Sequence, residues 1–111
     1  MVTVIFFEDG RQRPSSFSAA GHVEIPQTSS DEYSLVCASV SAILQAARAG
    51  LEEYAGLRLE ASMERGLMKV AWPESDRDLE SVRAIVATAG LAIEQIARQY
   101  PQHVTFSRRT G

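Results

Sequence analysis

With 111 residues, 45% of them apolar, and a formal net charge of −3, the chain has room for one domain, 1–111, around a single core, and it is too apolar to be disordered. The acidic balance, with no basic run longer than Arg108-Arg109, argues against a direct nucleic-acid partner. A lone cysteine, Cys37, excludes an internal disulfide framework.

The chain opens on Val2-Thr3-Val4-Ile5-Phe6-Phe7, a β-branched and aromatic run that reads as a strand covered on at least one face. No charged lead and cleavage site accompany it, and no segment approaches the ~20 apolar residues of a membrane span. The expectation is therefore a cytoplasmic protein with no membrane partner. Asp9-Gly10 signals a hairpin turn, with glycine supplying positive φ. The returning strand, Arg11 to Ala20, should hold Pro14 early or at an edge, since proline cannot donate to a ladder. Gly21 ends that strand and allows a sharp turn, so that His22 can point back across the sheet end.

The polar run to Ser30, with Pro26 in its middle, reads as a loop, either a gate that orders on substrate binding or a fixed surface turn. A helix follows, with Val36, Val40, Ile43, Leu44, Ala47 and Leu51 on one stripe. Cys37 falls about 70° from the stripe's centre, at ~100° per residue, and so on its flank. Ser29 with Glu32 offers a capping box; Ser34 offers a later N-cap, which would set Cys37 in the first turn, where unpaired N–H groups favour a thiolate. The later start is the expectation.

Gly50 and Gly56 bracket the helix end. Leu57 to Ser62 and Leu67 to Trp72 alternate at period two around Glu64-Arg65-Gly66, a second hairpin that Pro73 stops. Ser75 and Asp78 can cap a second helix, which carries Leu79, Val82, Val86, Ala89, Ile93 and Ile96 and ends at Tyr100-Pro101. Gly90 in its middle costs ~1 kcal/mol relative to Ala unless packing needs it. His103 to Ser107 is a closing strand. The order ββαββαβ predicts an α+β, two-layer fold: two helices packed on a mainly antiparallel sheet.

Cys37 and His22 thus lie on the two lips of one loop. A thiol nucleophile needs a base and a positive local field, and an imidazole titrating near neutral pH can take the thiol proton and return one to a leaving amine. The alternatives are an inert core cysteine and a solvent-facing loop histidine. His103 matches no motif and reads as structural.

Gly21-His22, the polar loop, and Val36-Cys37-Ala38-Ser39-Val40-Ser41-Ala42 together resemble the ribosomal-processing cysteine proteases of the Prp family. The resemblance implies a Cys37–His22 dyad, a homodimer, and removal of an N-terminal extension from the bacterial large-subunit ribosomal protein L-twenty-seven, with an aromatic residue before the cut. Gly21, Ala38 and Ser41 match the family around the dyad. Ser41 lies one helical turn beyond Cys37 on the same face, or is simply a small polar residue that lets the helix pack. Ser34 stands where the family usually has an aspartate: the capping role survives and the charge does not. The loop also lacks the family's glycines, and the gap from His22 to Cys37 is slightly longer.

Backbone N–H groups of Cys37 and the next residue, Ala38, would supply an oxyanion hole. One cysteine and two histidines make no closed metal site, no glycine-rich phosphate loop is present, and no cofactor is expected. Two further readings remain open: a non-catalytic ribosome-assembly binding module on the same fold, and a redox-sensing thiol.

Overall fold

The computed structural model describes residues 1–21, 31–64 and 66–111. Five strands and two helices follow in the order β1 (Val2–Glu8), β2 (Pro14–Ala20), α1 (Asp31–Ala49), β3 (Glu60–Glu64), β4 (Leu67–Ala71), α2 (Glu80–Gln99) and β5 (Val104–Thr110). The expected α+β architecture and ββαββαβ order are present. The sheet runs β3-β4-β2-β1-β5. Three of its pairings are antiparallel, while β5 joins β1 in parallel, with Val2 opposite Val104 and Val4 opposite Phe106.

Alternation sets the buried face. Val2, Val4 and Phe6 of β1, Phe17 and Ala19 of β2, and Met68 and Val70 of β4 point inward and share one core with Val40, Leu44, Val82 and Ile93 of the helices. The register pairs Phe6 with Phe17 and Phe17 with Val70. The Phe6 and Phe17 rings stack at 5.5 Å between centroids, and Phe106 meets Phe6 edge-on at 5.3 Å. Aromatic pairs at such spacings add to simple burial.

Several boundaries differ from the sequence expectation, each for a visible reason. Pro14 opens β2, as a residue without an N–H should. In the first hairpin the left-handed position falls to Gln12 (φ 61°), not to Gly10. The Asp9 carboxylate holds the turn instead, accepting from the backbone N–H groups of Arg11 (2.9 Å) and Arg13 (3.1 Å). The helix α2 starts at Glu80 behind Leu79, which makes no side-chain cap bond, and Ser75 lies in a separate 3₁₀ turn, Glu74–Asp76. Asp78, the other half of the expected cap, is drawn to Arg13 (3.1 Å) and Arg83 (3.4 Å). The helix α1 passes at Gly50 into a π turn, Gly50–Tyr54. A Cβ at Gly50 would come within 3.2 Å of Ile85, so the glycine lets the two helices approach. In the second hairpin β3 begins only at Glu60, with Leu57 buried in the core ahead of it.

The segment Glu32–Tyr54 has a mean hydropathy of 1.4 over its best window, long and apolar enough by length and composition to cross a membrane, contrary to the sequence expectation. Its buried residues are one-sided, however: Val36, Val40, Leu44, Ala47 and Leu51 are buried, while Glu32, Leu35, Ser39, Gln45, Glu52 and Glu53 are exposed. That is the pattern of a core helix.

Candidate active site

The described part of α1 already includes Asp31, three residues before the expected cap, so Ser34 is at least its fourth residue and Cys37 at least its seventh. Cys37 therefore stands beyond the first turn, where the dipole's field has faded. The early start has a tertiary cause. The Glu32 carboxylate receives Gln102 Nε2 at 3.2 Å and lies 2.8 Å from His103 Nε2, which fastens the first turn to the approach of β5. Serine at 34 cannot end a helix whose preceding turn is held in this way.

Cys37 is also deeper than its flank angle implied. It is 2% exposed and lies in the core with Val36 and Val40. The buried series Cys37, Val40, Leu44, Ala47 and Leu51 steps by three and four, so Cys37 is a member of the stripe itself. The N–H groups of Cys37 and Ala38 fall inside the helix, where regular geometry pairs them with carbonyls four residues back. The oxyanion donors expected there are thus already engaged. Ala38 is exposed; Ser34 and Ser41 are half-buried.

His22 lies outside the described residues. The described residue before it, Gly21, is placed beside α1. Its φ is +88°, and a Cβ there would run into the Met1 carbonyl oxygen. Its N–H donates to the Gly66 carbonyl at 2.8 Å, which ties the end of β2 to the second hairpin. Its own carbonyl accepts from the Tyr33 hydroxyl at 3.4 Å.

Tyr33, which the sequence reading did not single out, also hydrogen-bonds Cys37, one helical turn ahead on the same face. Burial raises the Tyr33 phenol above its ordinary value, and the hydrogen bond and charge of the Cys37 sulfur push it the same way. Tyr33 therefore stays neutral, with a proton to donate. The signal that could have found it is its spacing of four from Cys37. The ring of His103 lies 5.3 Å from the Tyr33 ring, tilted by 56°. Val36, next to Cys37, lines a hollow of about 370 Å³ with Glu32, Leu35, Ser39, Ile96 and Tyr100. Among the described residues no cluster of three His, Cys, Asp or Glu side chains could hold a metal ion.

Residues 1–105 match the family described as cysteine protease Prp. The chain belongs to the Prp family of cysteine proteases. Solved structures share the fold of this Prp-family chain. The crystal structure of SMU.848 from Streptococcus mutans is 23% identical, with a TM-score of 0.88 over 100% of this chain and 99% of that one. The essential ribosomal processing protease Prp from S. aureus is 15% identical in complex with a substrate peptide, with a TM-score of 0.82. Its complex with a covalently linked product peptide is 16% identical, with a TM-score of 0.81. Both matches cover 97% of this chain and 99% of the other. No curated protein sequence matches the chain.

Proposed function

We propose that the chain is a cytoplasmic cysteine endopeptidase that removes an N-terminal extension from ribosomal protein L-twenty-seven. Cys37 is the nucleophile and His22 the base. The imidazole takes the thiol proton, and the sulfur attacks the peptide carbonyl. The amine leaves with the proton that the imidazole returns, and water clears the acyl-enzyme. One observation carries this reading: the family match spans residues 1–105 and so includes both members of the dyad. The solved S. aureus relative with a bound substrate peptide supports a ribosomal precursor as the partner. The hollow walled by Leu35, Val36, Ile96 and Tyr100, which Cys37 itself does not line, has room for an apolar side chain of that peptide. A homodimer belongs to the same proposal, by family likeness.

Wild-type protein should cut a peptide that carries the extended L-twenty-seven N-terminus, and Cys37→Ala should not. Equal survival of the peptide with both proteins removes that substrate.

The 2% exposure of Cys37 favours a second reading, a ribosome-assembly binding module without turnover. A peptide carbonyl must reach that sulfur before cleavage can start. In a pull-down of the extended peptide, a binder retains its partner with or without the thiol and releases no fragment; an enzyme releases the fragment only with it.

A further inference from the structure

Tyr33 connects both sides of the site. Its hydroxyl bonds the carbonyl of Gly21, the residue directly before His22, and the side chain of Cys37, and it accepts from the Met1 ammonium at 3.3 Å. Its ring is braced from the far side by His103, itself fixed by Glu32 at 2.8 Å. The ring thus sits between a helix turn and the approach of β5, with its hydroxyl held over the end of β2.

We propose that Tyr33 is a positioning residue of the peptidase: its hydroxyl anchors Gly21, where the segment bearing His22 departs, beside α1, and donates to the Cys37 sulfur once that sulfur is charged. This inference rests on the peptidase reading. At 3.4 Å the bond to Gly21 is long for a hydroxyl donor. A thiolate one helical turn away competes for the same proton on better terms, because a hydrogen bond to a charged acceptor is about twice as strong as a neutral one. The phenol supplies that donor without carrying a charge. His103, which reads as structural from the sequence, takes the role of the brace.

Tyr33→Phe keeps the ring against His103 and deletes only the hydroxyl. Alkylation of Cys37 by iodoacetamide, followed from pH 6 to pH 10, should be roughly tenfold slower at pH 7 in the variant, the worth of one hydrogen bond to a charged group. The gap between the two rates should narrow as the pH rises, because alkali forms the thiolate in both proteins. Superimposable profiles overturn the inference. With the extended L-twenty-seven peptide, kcat should fall with KM nearly unchanged; a rise in KM alone would assign Tyr33 to substrate binding and overturn it as well.

The alkylation profile needs no substrate, so the two ideas can fail separately. Separated profiles with no cleavage by the wild type sustain Tyr33 and remove the L-twenty-seven substrate; cleavage with identical profiles does the reverse. A second measurement leaves Tyr33 intact. In the difference spectrum between wild type and Cys37→Ala, one phenol should titrate at lower pH in the variant, because the bond and charge that raised it are gone. Identical phenol titrations overturn the contact itself.

Discussion

Two glycines at the rim of the site show how much one backbone angle can decide. Gly21 and Gly66 both have positive φ, +88° and +82°, and the N–H of the first donates to the carbonyl of the second. Around Gly66 a Cβ would meet nothing within 4 Å, whereas at Gly21 it would strike the Met1 carbonyl oxygen. Left-handed backbone at a non-glycine residue costs about 1–3 kcal/mol. Gly66→Ala should therefore lose about 1 kcal/mol of stability in urea unfolding, and Gly21→Ala should lose more, because the end of β2 must also shift. Equal losses would mean that the collision relaxes freely. At this scale the sequence was legible in part. Gly21 ending a strand is a matter of residue type and could be read directly. The depth of Cys37 could not, because its angle on the helix says where it points and not how far the neighbouring layers reach around it. Tyr33 was missed because a tyrosine in an apolar helix looks like packing until its hydroxyl has a partner.

At the scale of elements, periodicity located both helices and the five described strands, while local capping signals misplaced the start of α2 and the favoured start of α1, at Ser34, fell too late; Ser29, the other start offered for α1, lies outside the described residues. The reason is common to the two. Glu32 and Asp78 have tertiary partners, His103 and Arg13, that no local capping signal shows. Gly90 tests the balance inside α2. A Cβ there would lie 3.4 Å from the Phe6 ring and 3.5 Å from Arg108 Nη2, the near edge of ordinary contact. Nothing in that packing demands a glycine, while glycine in a helix interior is unfavourable by about 0.5–1 kcal/mol relative to alanine. Gly90→Ala should raise stability by about 0.5 kcal/mol, read as a higher urea midpoint at unchanged m-value. A lower midpoint would mean that the Phe6 ring cannot yield even a few tenths of an ångström, and that the close approach of α2 to β1 is what the glycine is for.

At the scale of the whole molecule, the parallel β1–β5 pairing was not legible, because a closing strand reads the same on either edge of a sheet and in either direction. Nor was the ionic clamp that joins the first hairpin to the start of α2. Arg13, 7% exposed, reaches Asp9 (3.0 Å), Glu74 (2.8 Å) and Asp78 (3.1 Å), and Arg77 reaches Asp9 at 3.1 Å. These groups lie up to 69 residues apart in sequence, and only the fold brings them together. Burial alone would raise the Asp9 carboxyl. The backbone donors of Arg13 and Arg11, the Arg77 guanidinium and the charge of Arg13 outweigh it and bring the group from 3.8 down to about 2. Linkage then fixes the direction of the acid response. Above pH 4 the carboxyl is ionised in both folded and unfolded chains, and its contribution to stability is complete. Between about pH 4 and pH 2 the unfolded chain takes up the proton first, so stability falls; below about pH 2 both states hold it and the contribution is gone. Asp9→Asn should therefore be less stable than wild type at pH 7, by a margin that stays level down to pH 4 and closes by pH 2 in urea titrations at each pH. A margin independent of pH over that range would place the loss in the turn's hydrogen bonds and not in the charge that ties the hairpin to α2.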